Sequence, residues 1–157
     1  MSDNGFNMVI QLDFGNIDGL ARDVEKIIFT VISKGARTIA GRAREKVPVD
    51  TGALKASIYV SNEKGSSYNF ALAGAQKLRT FDTAPNARVG AGKGSIVVGA
   101  AAPYAMAVEM GHHTPGGGFY PARPYLIPSV YETVPEIEME LKDEIENYQN
   151  RGDDWEP

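Results

Sequence analysis

Apolar and polar residues alternate near the start of the chain, where Met8, Ile10, Leu12 and Phe14 interleave with Val9, Gln11 and Asp13. A period of two with one apolar face predicts a half-buried strand. The period then lengthens. From Ile17 the apolar residues fall at Leu20, Val24, Ile27, Ile28, Val31, Ile32, Ile39 and Ala43, the spacing of one long amphipathic helix. At ~1.5 Å per residue it runs for roughly 40 Å, with Asn16 or Asp18 available as its N-cap. Its opposite face carries Arg22, Glu25, Lys26, Lys34, Arg37, Arg42, Arg44 and Lys46, and the cations of its last turns suit the negative end of the helix dipole. Gly35 and Gly41 weaken its middle or admit close packing against a neighbour. One small sheet cannot cover so long a helix, so part of it is expected to pack on another copy.

Pro48 stops this helix, because the residue before a proline is driven to extended geometry. Asp50-Thr51-Gly52-Ala53-Leu54 restarts a short turn, with Asp50 as the expected cap. Residues 57–62 have strand composition, Ile58 and Val60 on one face and Tyr59 on the other. Residues 63–67 read as a turn and 68–72 as a second strand. Residues 74–94 show no sustained period and read as a long flexible loop, net positive from Lys77, Arg79, Arg88 and Lys93 against Asp82.

Residues 95–99 are a strand. Ala102-Pro103 opens a short helix through Met110, closed by Gly111, and residues 112–118 form a loop. Pro124 or Pro128 opens the last helix, in which Ile127, Val130, Val134, Ile137, Leu141, Ile145 and Tyr148 make one narrow apolar stripe. Pro135 should kink or break it. The expectation is an α+β fold, a small mostly antiparallel sheet packed by a long N-terminal helix and a C-terminal helix. Residues 1–149 form one domain, and residues 150–157 a polar, frayed tail.

Length and composition narrow the class. A chain of 157 residues, 43% hydrophobic, supports one core rather than two. Its net charge of −4 does not mark a nucleic-acid binder. The charge is unevenly spread: residues 1–130 hold 14 Lys and Arg against 10 Asp and Glu, a balance of +4, and residues 131–157 hold 2 against 10, a balance of −8. The absence of cysteine fits manufacture in a reducing cytoplasm. The first residues lack the pattern of a signal peptide, and no apolar run approaches the ~20 residues that span a bilayer. A soluble, intracellularly made protein is expected.

Candidate chemistry is thin. The stretch from Gly90 to Ser95 (GAGKGS) resembles a phosphate loop only superficially. Ala87 stands where that motif needs glycine, Gly94 where it needs Ser or Thr. Glu109, His112 and His113 could offer a metal three ligands, but Gly111 interrupts the helix between them, so a small metal-dependent hydrolase is the weaker alternative. A salt bridge from Glu109 to an arginine such as Arg123 is the better expectation. With no cysteine and two adjacent histidines, no catalytic triad is in view. No catalytic residue, metal or cofactor is expected.

Three proline- and glycine-bearing segments carry more information: Pro48, Asp50, Thr51, Gly52 and Leu54; then Tyr104, Ala105, Glu109 and Gly111; then Pro121, Ala122, Arg123, Pro124 and Leu126. In this order, the chain from about Ile17 to Ile145 resembles the minor tail-component family of long-tailed bacteriophages, the neck or tail-completion proteins often described as head–tail joining. His112 departs from the pattern, which usually has threonine after the glycine, and the 74–94 loop is longer than the pattern needs. The resemblance implies a non-enzymatic virion component, assembled in the host cytoplasm into a homo-oligomeric ring. Its implied neighbours are head-closure or connector proteins and tail-terminator or tail-tube proteins, with DNA in the lumen close by and no membrane. A tail-terminator capping protein of similar size is the alternative. A ring needs unlike faces that meet. The acidic last helix (Glu136, Glu138, Glu140) and the cations Lys77, Arg79, Arg88 and Lys93 are the expected assembly contacts.

Overall fold

The alternating stretch at the start forms strand β1, Met8–Asp13, and the long helical pattern forms α1, Arg22–Lys46. The computed structural model describes residues 8–15, 21–81 and 91–152. The expected cap of α1 at Asn16 or Asp18 and the first apolar positions Ile17 and Leu20 therefore lie outside the described residues, as do Asp82 and Arg88. After α1 come the single turn α2, Ala53–Ala56, then β2, Ile58–Asn62, the two-residue β3, Gly65–Ser66, and α3, Tyr68–Leu78. Next are β4, Ser95–Ala100, and α4, Ala105–Met110. The short strands β5, His112–His113, and β6, Phe119–Tyr120, precede α5, Leu126–Gly152.

Four strands pair antiparallel in the order β1-β4-β2-β3. Every residue of β4 is buried, which suits a central strand covered on both faces. In the register, Met8 and Ile58 both lie opposite Ala100, and Ile10 and Val60 both lie opposite Val98. Period two places these side chains on one face, where they join Ile96, Ile39, Ala43, Leu126 and Ile137 in the main core. Tyr59 and Val97 point to the reverse face and pack with Tyr68 and Ala71 of α3. Tyr59 meets Tyr68 edge to face, ring centroids 5.1 Å apart. The fold is α+β, with α1 and α5 on one side of the sheet and α3 on the other.

Over its second half α1 packs on α5 of the same chain. Lys46 pairs with Glu132, Arg42 with Glu136 and Lys34 with Glu140, at 2.8, 2.8 and 2.7 Å, so the two helices run antiparallel. Gly35 serves the second of its two expected roles. A Cβ there would collide with Cδ1 and Cγ1 of Ile137, so the missing side chain sets how closely the helices approach.

Three expectations about elements fail. Residues 68–72 are not a strand but the start of α3, which also takes the first five residues of the expected 74–94 loop. The apparent alternation of Tyr68, Phe70 and Leu72 misleads, since Phe70 is 86% exposed while Tyr68, Ala71 and Ala75 are buried at helical spacing. Ala71, Ala73 and Ala75 also favour helix. The 112–118 loop is largely a hairpin, β5 pairing with β6 as His112 opposite Tyr120 and His113 opposite Phe119. Its turn is held by Thr114, whose hydroxyl accepts the Gly118 N–H at 3.0 Å. Finally, α5 is not broken at Pro135 and continues to Gly152, taking in residues 150–152 of the expected tail. Pro135 and Tyr131 are both exposed, so the Tyr131 carbonyl that proline leaves without a donor lies on the watered side of the helix.

Candidate functional site

The three motif segments converge on one corner of the molecule. Val47 ends α1 in extended geometry, its N–H still donating to the Ala43 carbonyl at 2.9 Å, and Pro48 directs the chain away. Gly52, at φ +81°, turns the chain back into α2. The expected cap is misassigned here. The Ala53 N–H is met by the Thr51 hydroxyl at 3.3 Å rather than by Asp50. Thr51 is the nearer oxygen because the left-handed Gly52 folds Ala53 back over it.

A second reversal follows α4. Gly111 adopts φ +76°, and a Cβ there would lie 2.8 Å from both the Ala122 nitrogen and the Tyr120 carbonyl oxygen. Only glycine lets the two passes of chain lie this close. The Arg123 N–H donates to the Val108 carbonyl at 2.8 Å and fastens the third segment to α4.

Glu109 is the anchor of this corner. It is 1% exposed, and its carboxylate faces the start of α5. One oxygen, Oε2, accepts the N–H groups of Tyr125 and Leu126, both at 2.9 Å; Oε1 accepts that of Ile127, also at 2.9 Å. These are the N–H groups that a helix leaves without internal partners at its N-terminus, and a negative charge there complements the helix dipole. The expected salt bridge to Arg123 is therefore not formed. Arg123 is exposed and meets this corner through its backbone. Three N–H donors on a rigid helix end satisfy a buried carboxylate without ordering a long guanidinium side chain.

A buried hydroxyl chain continues from this cap. Ser129 donates to the Tyr125 carbonyl at 2.6 Å, Thr133 to the Ser129 carbonyl at 2.7 Å, and Arg42 of α1 to the Thr133 hydroxyl at 2.8 Å. Burial, with the nearby Glu109 and then Tyr104, raises the pKa of the Tyr125 phenol well above the ordinary tyrosine range.

Between the segments lies an open cleft of about 570 Å³, lined by residues 48–54, Arg79, Tyr104, Ala107, Val108, His112, Tyr120, Pro121 and Arg123. Of the sequence-selected residues it gathers Pro48, Asp50, Thr51, Gly52, Leu54, Tyr104, Pro121, Arg123 and Arg79. It does not gather Glu109, which is buried behind it, or Gly111 and Pro124, which shape the chain beside it. The Arg79 guanidinium lies 4.7 Å from the centre of the Tyr104 ring, a cation–π contact that holds it over the cleft. Burial raises the Tyr104 phenol pKa, an effect that Arg79 opposes.

The remaining candidate contacts scatter. Lys77 is exposed on α3, and Lys93 lies 3.9 Å from Glu25 of α1. Glu136 and Glu140 pair with α1 of their own chain, while Glu138 is exposed and makes no ion pair among the described residues. The three groups proposed for a metal do not converge. The rings of His112 and His113 lie against Tyr120 and Phe119 at 5.1 and 4.9 Å, and Glu109 faces the other way. No cluster of three or more potential metal ligands occurs among the described residues.

The sequence did not single out the exposed apolar rim, where Val49, Met110, Phe119 and Tyr120 are each 59–65% exposed. The signal for two of them was the aromatic pair Phe119-Tyr120 after a glycine run.

The sequence model of the HK97-gp10-like family, described as "Bacteriophage HK97-gp10, putative tail-component", matches residues 15–111, more than half of the chain. The chain belongs to this phage tail-component family. No curated protein and no solved structure matches it. The match takes in the first two motif segments and ends at Gly111, so the third segment and α5 lie beyond it. Virion location follows from membership, and no helix among the described residues is long and apolar enough to cross a membrane.

Proposed function

We propose that this tail component works as a non-enzymatic ring in the neck, joining the tail to the DNA-filled head between the head-closure and tail-terminator or tail-tube proteins. Membership of the tail-component family carries this reading. The fold supports it. Glu109 and Gly111 fix one end of α5 to the corner, and Ile137 packs its flank on Gly35 of α1, with three ion pairs along the seam. The result is a rigid bar with a defined outer surface. Glu138, Asp143 and Glu144 are exposed at different positions around α5, and give the helix an acidic surface unlike the cleft end of the molecule. Unlike faces are what a closed ring requires.

Electron microscopy of the purified protein and of particles assembled without it tests this proposal. Rings, together with filled heads lacking tails, are the expected result. Particles with normally attached tails in its absence refute the joining role, and labelled protein found only at the distal end of the tail tube refutes the position.

A further inference from the structure

The cleft has features of a binding site that the fold itself leaves open. Its floor and walls are apolar (Pro48, Val49, Leu54, Tyr104, Val108 and Pro121), and its volume of about 570 Å³ lies within the range that holds a compact side-chain cluster. Two guanidinium groups, Arg79 and Arg123, stand at its edge, and neither makes an ion pair among the described residues. Asp50 is the one carboxylate among the lining residues, so the cleft is net cationic. An occupant that suits it combines an apolar aromatic group with negative charge.

The chain carries such a segment beyond α5. Residues 153–157 read Asp-Asp-Trp-Glu-Pro and include the chain's single tryptophan, Trp155. Tryptophan is the side chain that most often anchors an interface when seated in a pocket. Three carboxylates around it match the two arginines.

Geometry decides which copy it reaches. The start of α5 is bound to α4 beside the cleft, and α5 then runs for 27 residues, about 40 Å at ~1.5 Å per residue. The five residues from Asp153 to Pro157 span at most about 18 Å when fully extended. They cannot return to the cleft of their own chain.

We infer that the acidic segment 153–157 of one copy docks in the cleft of the next, with Trp155 against the apolar wall and its neighbouring carboxylates on Arg79 and Arg123. The contact joins unlike surfaces, and where it is not made reciprocally by two copies it propagates into a ring or a filament. It deepens the ring proposal by naming one contact, yet stands or falls separately from a position in the neck.

The absence of cysteine makes a disulfide test clean. The full chain carrying V49C together with P157C, which leaves Trp155 in place, should run on a non-reducing gel as a ladder of multimers after oxidation at high concentration. Either substitution alone should stop at dimers. Adding R79E and R123E should abolish the ladder while the protein still unfolds in one cooperative thermal transition, and adding D153K and D154K to those should restore it. A double-cysteine chain that stays monomeric, or that closes an intrachain bond, overturns the inference. So does a ladder untouched by the arginine reversals. If short duplex DNA instead binds through Arg79 and Arg123 and no ladder forms, the cleft is a nucleic-acid site and the inference is wrong. The gel does not depend on where the protein sits in a virion, so failure of the neck proposal by microscopy leaves its result intact.

Discussion

The side chain of Glu109 and the backbone of Ile127, eighteen residues apart, meet at 2.9 Å. Through this contact and its two companions at Tyr125 and Leu126, a buried carboxylate in a six-residue helix fixes where a 27-residue helix begins. Replacing Glu109 with Gln keeps an oxygen for one side of the fork but turns an NH₂ group toward N–H donors. We expect a loss of about 2 kcal/mol. Replacing it with Ala leaves all three donors without a partner and should cost ~3–5 kcal/mol. Urea unfolding checks both, and a Glu109→Gln midpoint equal to wild type contradicts the capping role.

Tyr125 supplies a pH signature for the same corner. Its phenol pKa is raised in the folded chain, chiefly by burial and then by the Glu109 charge, above the value of ~10 for an unfolded tyrosine. The folded state therefore holds the phenolic proton more tightly. The stability this contributes is fully present below about pH 10 and is lost as the pH rises through the folded value. Stability should fall along the alkaline limb, and Tyr125→Phe should flatten that fall. At neutral pH the substitution should cost only about 1 kcal/mol or less, since the hydroxyl reaches the Ala105 carbonyl at 3.5 Å. Thermal melts between neutral pH and the alkaline limit measure the slope.

The long helices and the sheet were legible in the sequence because each buries one face and so writes its period into the chain. Ile39, Ala43 and Ile137 sit in the core as their spacing demanded. The misreadings arose where period is short or side-chain size misleads. Two turns of α3 with small alanines look like a strand if Phe70 is taken as buried, and a two-residue pairing such as β5 with β6 is below any periodic signal. Glu109 could be seen as special, but its partners could not. Backbone N–H groups carry no sequence mark, whereas Arg123 does, so sequence reasoning chose the visible cation. The cleft was legible only as a set of rigid joints, because what brings residues 48–54 against Tyr120 and Arg123 is the pair of left-handed glycines, Gly52 and Gly111.

Gly35 tests the packing of α1 on α5. Alanine is the better helix former by about 1 kcal/mol, so Gly35→Ala should stabilise an isolated helix. Here its Cβ meets Cδ1 and Cγ1 of Ile137, and overpacking costs ~1–3 kcal/mol. The net expectation is destabilisation of about 1 kcal/mol, relieved when Ile137 is also shortened to Ala. A double-mutant cycle in urea measures the coupling. Additive effects, or a stabilised single variant, show that the helices can part at no cost.

The carboxylates of α5 divide into two groups with different consequences. Glu136 and Glu140 face Arg42 and Lys34 of the same chain, but with Glu136 54% and Lys34 64% exposed, each pair contributes only about 0–1 kcal/mol. Reversing either to lysine replaces attraction by repulsion and should cost ~1 kcal/mol, a drop of roughly 2–4 °C in melting temperature. Glu138 is exposed and has no ion-pair partner among the described residues, so Glu138→Lys should leave the melting temperature within about 1 °C. If the outer face of α5 meets a neighbour, Glu138→Lys should nevertheless weaken ring formation, and raised salt should weaken it in the unaltered protein. Sedimentation of the unaltered protein and the Glu138→Lys variant, at low and high salt, separates the two effects. Equal assembly in all four samples places the neighbour's contact elsewhere than on this side of the helix.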